Sequence, residues 1–404
     1  LKIKYSERLI KHTGIYLIFD ITNKAIPFLF LPYLSHMLTT SDLGKLELFN
    51  TYVALLTLAI LFGLDGWCAS KYNELEYEDF SRKIILGLKI SLILCLISLV
   101  ILFSLDKKWW IILSPIYALS MCVIQIRTLT LRLQFKTAAA SFILFLNVLS
   151  STLLTIGTFI FDGNSLNNRI IALFLPALVI STWSAYSIFK EFKTDTRISA
   201  NEFVKFIHYT APLVPNGLIN FIRFGADKFY VAHFFGVSNL ALFGVSYQFA
   251  MIANIFMLSL NQAVMPFTMR LLNEGRIKRF LKLVLILVSV FTLFVLMLWG
   301  WTPYILFVFF DEKYITSQYI SNVYYLAYPF VFLSILLMNI AFVRGRTKLI
   351  LLVTSVSSIT HLFILFYFSE KNSDLFHIPY ALLISSVVSL VLAIISFSRL
   401  IRNV

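Results

Sequence analysis

Acidic residues are scarce in this 404-residue chain. There are 20 Asp and Glu against 34 Lys and Arg, and charged residues of both signs make up only 13%. A soluble domain carries about 25% charged residues, so this chain lacks the charge to cover a water-facing surface. Cysteine is nearly absent. Cys68, Cys95 and Cys122 stand singly with no CxxC pair, which excludes a disulfide framework or cysteine metal site and reads as small-residue packing. Fourteen glycines and ten prolines are too few for a collagen-like or low-complexity chain. Walker A, GxSxG and HExxH sequences are missing, so ATP hydrolysis, serine chemistry and a zinc peptidase site are not expected. The six histidines, His12, His36, His208, His233, His361 and His377, make no close His/Asp cluster along the chain. No metal site and no enzyme activity are expected.

What fills the space is apolar. Hydrophobic residues make up 59%, including 40 Phe, and mean hydropathy is +0.85. A bilayer core of ~30 Å takes about 20 helical residues. Runs of that length lie at 14–37, 46–69, 84–105, 109–131, 138–161, 170–189, 210–235, 240–268, 281–300, 323–343, 349–368 and 378–398. Lipid offers no partners for open strand edges, so these runs must be helices. The fold class is all-α, a polytopic membrane protein of about 12 transmembrane helices. The basic head Lys2, Lys4, Arg8 and Lys11 precedes a run that spans a bilayer and ends without an A-x-A site, which reads as a first span rather than a cleaved leader.

Basic residues give the direction. With the N-terminus cytoplasmic, the loops on that side hold 24 Lys and Arg and the opposite loops hold 6. Both termini are therefore expected inside. Most of the +14 net charge becomes orientation, and a nucleic-acid partner is not expected. The longest cytoplasmic link, 190–205, divides the spans six and six into lobes 1–189 and 206–404. The outer segment Trp301–Asn322 is amphipathic and is expected to lie partly in the interface.

An offset of 197 places the first span over the seventh, matching Asn23 with Asn220, Tyr33 with Tyr230 and His36 with His233. Two lobes entering from the same side would form a parallel repeat about an axis along the membrane normal. Two unrelated apolar halves is the other reading. His36 and His233 read as interfacial residues.

Charges at bilayer depth cost about 2.5–3.5 kcal/mol each on insertion scales. Asp20 and Lys24 lie four apart in the first span beside Asn23; Arg223 and Asp227 lie four apart in the seventh, followed by Lys228. Each acid either neutralises its neighbouring base so that the helix inserts, or the groups line a water-filled cavity. In the cavity reading Lys24, Arg223 and Lys228, with Asn23 and Asn220, hold an anionic substrate such as a pyrophosphate. Asp20, Asp65 and Asp227 then carry a coupling H+ or Na+, with Gln262 aligned to Asp65. Arg127, Arg132, Lys136, Arg344 and Arg346 either anchor the inner face or form a basic collar at the cytoplasmic mouth.

These residues carry a resemblance. Asn23-Lys24-x-x-Pro27, Ser41-Asp42-Leu43-Gly44, Gly63-Leu64-Asp65-Gly66, Asp227-Lys228 and Arg344-Gly345-Arg346-Thr347-Lys348 resemble the pattern of Wzx-type O-antigen and polysaccharide flippases of the multidrug/oligosaccharidyl-lipid/polysaccharide exporter superfamily. The likeness is plain over residues 8–75 and 205–275 and diffuse elsewhere. Leu46 stands where an aromatic often follows the Gly44 turn. The resemblance implies a MATE-like six-plus-six transporter in a bacterial inner membrane. It would move an undecaprenyl-pyrophosphate-linked oligosaccharide to the periplasmic leaflet by alternating access, with no cofactor beyond a coupling ion. Membrane lipids, a polymerase and a chain-length regulator of the same pathway are the implied partners. A polysaccharide polymerase or ligase, a multidrug exporter of the same superfamily and a channel are the alternatives. Short outer loops weigh against the first, the surplus of intramembrane bases against the second, and charges of both signs against the third.

Overall fold

A computed structural model describes residues 22–23, 25–105, 108–192, 199–370 and 374–402. Asp20 and Lys24 lie outside them. Among the described residues every regular element is helical, and ten helices are long and apolar enough to cross a membrane. The protein is a polytopic helical membrane protein.

The first described helix, α1, is Ala25–Met37. The run expected at 46–69 is instead two helices, α2 (Thr40–Leu61) and α3 (Leu64–Lys71). The break falls at Phe62 and Gly63, both at positive φ. A Cβ on Gly63 would lie 2.8 Å from the Thr210 carbonyl oxygen, so the break also needs glycine for close approach. Ser41–Gly44 is not a separate turn. It forms the first turn of α2, whose Asp42 amide is capped by the Thr39 hydroxyl at 3.1 Å.

Next come α4 (Tyr77–Leu105), α5 (Trp109–Ile112), α6 (Ser114–Leu133), α7 (Thr137–Asp162) and α8 (Leu166–Glu191). The short amphipathic α9 (Ala200–Thr210) occupies the end of the expected linker, followed by α10 (Leu213–Phe234) and α11 (Val237–Asn273). The last four are α12 (Ile277–Phe309), α13 (Ser317–Val343), α14 (Thr347–Glu370) and α15 (Tyr380–Arg402). Helix α10 is long enough to cross but is not among the ten, because Arg223, Asp227 and Lys228 interrupt its apolar character. The outer segment expected from Trp301 begins within α12, which runs on to Phe309 with Pro303 inside it.

Two compact units emerge: residues up to Asp42 with Phe49–Leu218, and Leu43–Leu48 with Ile219 onward. In the first, α6, α7 and α8 pack around Ile124, Leu131, Ala140, Ile143 and Ile180, and the three cysteines are buried and unpaired. Leu92, Ile93, Leu96, Ile97, Val100 and Ile101 of α4 are exposed, as a lipid-facing surface requires. In the second, α13 is central, with α11, α12, α14 and α15 against it. Small residues permit the close packing that helices in lipid need. Ser317 and Ser321 donate to the Leu242 and Ser246 carbonyls, and Ser334 pairs with Ser389 at 2.9 Å. Tyr314, Tyr324, Tyr325, Tyr328 and Phe332 are fully buried there.

Helix α9 shows how an element outside the spans is fixed. Ser199 caps it in a box with Glu202, Phe206 meets the Trp67 ring at 5.2 Å, and Tyr209 donates to Ser70 at 2.7 Å. Hydrogen bonds from the Ser199 amide and hydroxyl hold the Glu202 carboxyl below the usual range. The cap is therefore complete above the ordinary Glu value and fades as pH falls through the lowered one. Ser199→Ala is expected to cost about 1 kcal/mol locally, read as roughly fivefold faster amide exchange in the first turn of α9.

Candidate functional site

The polar groups of α10 meet partners that lie far away in sequence. Asp227 does not pair with Arg223, four residues earlier. Its Oδ2 accepts from the Tyr324 hydroxyl on α13 at 2.8 Å, and its Oδ1 lies 2.6 Å from His361 Nε2 on α14. Asp227 is 2% exposed and His361 is 0%. Lys228 pairs with Glu47 and sits 4.2 Å from the centre of the Tyr247 ring. Tyr247 in turn donates to the Phe224 carbonyl, and Ser358 donates to the Ile219 carbonyl at 2.9 Å. Helices α11, α13 and α14 thus hold α10 through polar bonds. Glycine makes room for the acid: a Cβ on Gly244 would lie 2.8 Å from Glu47 Cγ.

Arg223 is 5% exposed. Its guanidinium lies 5.3 Å from the Phe224 ring, and among the described residues its Nε and Nη2 have no hydrogen-bond partner. These two nitrogens form the edge that takes carboxylate or phosphate oxygens side-on. A cation–π contact offsets about 0.5–2 kcal/mol, well short of replacing lost hydration. The Asn23 side-chain amide is likewise buried and, among the described residues, unpartnered. Asn220 is exposed on α10.

The remaining sequence-derived residues are dispersed. Asp65 stands in the first turn of α3 and accepts from Gln125 at 3.4 Å. A carboxylate there is favoured by the helix N-terminus. Gln262 is exposed on α11, while its neighbour Asn261 accepts from Asn339 at 3.5 Å. Arg127 is buried and bonds Glu191 at 2.6 Å, with Gln134 on the other carboxylate oxygen, so it fastens α6 to the end of α8. Arg132 is half-buried; Lys136, Arg344 and Arg346 are exposed. An apolar hollow of about 290 Å³ lined by Phe203, Val204, Ile207, His208, Ala211 and Pro212 contains none of the sequence-derived site residues.

The model of the family described as polysaccharide biosynthesis protein matches residues 9–272. The chain belongs to that family. A MatE model also matches residues 212–367, which include α10 and most of α14. Two Haemophilus influenzae proteins are similar to this family member over nearly their whole length. One, an uncharacterized membrane protein, is 25% identical over 394 residues, covering 92% of this chain and 93% of its own. The other, Lsg locus putative protein 1, is 22% identical over 396 residues, covering 94% and 96%. Among solved structures, an inward-facing multidrug resistance MATE family transporter of the MOP superfamily has a TM-score of 0.73 at 15% identity, over 94% of this chain and 96% of its own. The lipid II flippase MurJ in an inward closed conformation has 0.72 at 15%, over 96% and 90%. At such identities the likeness is one of fold. This polysaccharide biosynthesis family member has the MATE-like fold that its sequence led us to expect.

Proposed function

We propose that this family member is a flippase. It carries an undecaprenyl-pyrophosphate-linked oligosaccharide, an O-antigen or capsule repeat unit, from the cytoplasmic to the periplasmic leaflet of a bacterial inner membrane. Both termini face the cytoplasm, transport proceeds by alternating access, and the chain performs no covalent chemistry. A polymerase and a chain-length regulator of the same pathway are its proposed partners.

The observation that carries this reading is Arg223, a buried guanidinium on a membrane helix whose Nε–Nη2 edge has no partner among the described residues. Leaving that edge bare is costly, and an anionic group that visits it removes the cost. A pyrophosphate offers oxygens at the right spacing for both nitrogens. Lys24, Asn23 and Asn220 belong to the same proposed substrate set. Lys228, already neutralised by Glu47, contributes shape more than free charge. Asp20, Asp65, Asp227 and Gln262 remain the groups proposed for ion coupling, and the basic residues at the inner face, Arg132, Lys136, Arg344 and Arg346, gather anionic head groups.

Deletion of the gene followed by analysis of lipid-linked glycans tests the assignment. A flippase defect traps single repeat units facing the cytoplasm. Single units that still reach the surface would mean a polymerase. Unchanged glycans with new drug sensitivity would mean an exporter.

A further inference from the structure

Both oxygens of Asp227 meet donors on two different helices, His361 and Tyr324. A carboxylate only accepts, so His361 Nε2 carries the hydrogen. In its neutral form the imidazole then presents a bare lone pair at Nδ1, and among the described residues that buried atom has no hydrogen-bond partner. A purely structural Asp–His–Tyr brace gains nothing from an orphaned acceptor, which costs about 1–3 kcal/mol. A site that takes up a proton needs one.

We infer that the His361–Asp227 pair is the proton-carrying site of this protein, and that the coupling ion of its transport cycle is H+ rather than Na+. The second statement rests on the flippase reading; the first does not. One proton adds to the Nδ1 lone pair, turning a carboxylate with a neutral imidazole, net charge −1, into a carboxylate with an imidazolium, net charge zero. The same proton later leaves from Nδ1, and nothing is oxidised or reduced.

The surroundings suit a proton better than a metal cation. Na+ takes oxygen ligands, whereas Asp227 is met by an N–H and an O–H, both donors. The other ionisable groups nearby have settled states. Lys228, next on α10, is paired with Glu47 of α2. From α11, Tyr247 stands with its ring 5.8 Å from Tyr324, and Tyr328 follows one turn along α13. Phenols ionise only near pH 10, and guanidinium groups such as Arg223, one turn back on α10, stay charged. Among these side-chain types, imidazole is the one whose unperturbed pKa lies between pH 5 and 8.

Two measurements test this. Full-length wild type and His361→Gln, labelled with 15N-histidine and purified in detergent, are titrated by NMR from pH 5 to 9; the difference spectrum marks His361. The His361 Nδ1 resonance is expected to move from its neutral to its protonated position within that range. A resonance that holds one position overturns the proton site, whatever transport shows. If His361→Gln fails to fold, Asp227→Asn is the second variant, and it must alter the titration of one histidine; no change in any of them overturns the site. In proteoliposomes carrying lipid-linked oligosaccharide, flipping is expected to change at least fivefold with a pH gradient and to ignore replacement of Na+ by choline, with His361→Gln losing the pH response. A rate that follows Na+ and ignores pH overturns the coupling statement. Absence of flipping under every condition counts against the flippase reading alone, with the titration still deciding the proton site.

Discussion

Arg223→Ala is expected to abolish transport while the protein still inserts and accumulates. The side chain offers two unpartnered nitrogens from a site of 5% exposure, and a bidentate pair with a phosphate makes two charge-assisted bonds. Losing about 3 kcal/mol of such binding lowers substrate occupancy about 100-fold. Stability moves the other way. Among the described residues no acid is ion-paired with Arg223, so removing it strands no partner and relieves a desolvation cost. Arg223→Lys keeps the charge but loses the fork, and is expected to fall between wild type and alanine. Lys24→Ala is expected to abolish transport as well. Rates of lipid-linked glycan translocation at matched membrane abundance check all three; normal transport by both alanine variants would refute the substrate assignment.

The largest expected structural effect comes from one methyl group. In Gly44→Ala the new Cβ would fall 1.8 Å from the Val237 carbonyl oxygen and 2.8 Å from its carbon, where backbone rather than a flexible side chain is in the way. The start of α2 must then move off the start of α11. Glu47, one turn further along α2, moves with it and loses Lys228, and stranding one partner of a buried pair costs about 3–5 kcal/mol. Gly44→Ala is expected to leave little folded protein in the membrane. Gly157→Ala is the control: nothing lies within 4 Å of its added Cβ, and a mid-helix alanine is favoured over glycine by about 1 kcal/mol. Thermal unfolding of the two purified variants in one detergent should separate them clearly.

The division between what was legible and what was not follows the range of the forces. Apolar runs of bilayer length force helices regardless of their neighbours, so most spans could be located from composition. Arg223, Asp227 and Lys228 stood out because charge in lipid is costly wherever it sits. Their partners did not. His361, Tyr324 and Glu47 lie 134, 97 and 181 residues away, and a local pattern reads only three or four residues ahead. His361 does carry a signal, a lone imidazole inside an otherwise apolar run, but a His/Asp cluster is visible in sequence only between near neighbours, and its acid is 134 residues away. Loop charge likewise reports a side of the membrane and says nothing of burial. Arg127 therefore reads as an anchor or part of a collar, and its bond to Glu191 lies outside what loop charge can report. The break at Gly63 was hidden because a run of apolar residues looks the same whether one helix or two pass through it.

The central claim is that this chain moves a lipid-linked anion and that Arg223 holds it. Purified protein reconstituted into vesicles with a fluorescent undecaprenyl-pyrophosphate oligosaccharide on one leaflet tests it most directly, by reduction of the probe that stays accessible from outside. Wild type should transfer the probe between leaflets, and Arg223→Ala should transfer it at least 100-fold more slowly. Equal rates in wild-type, Arg223→Ala and protein-free vesicles would contradict the claim.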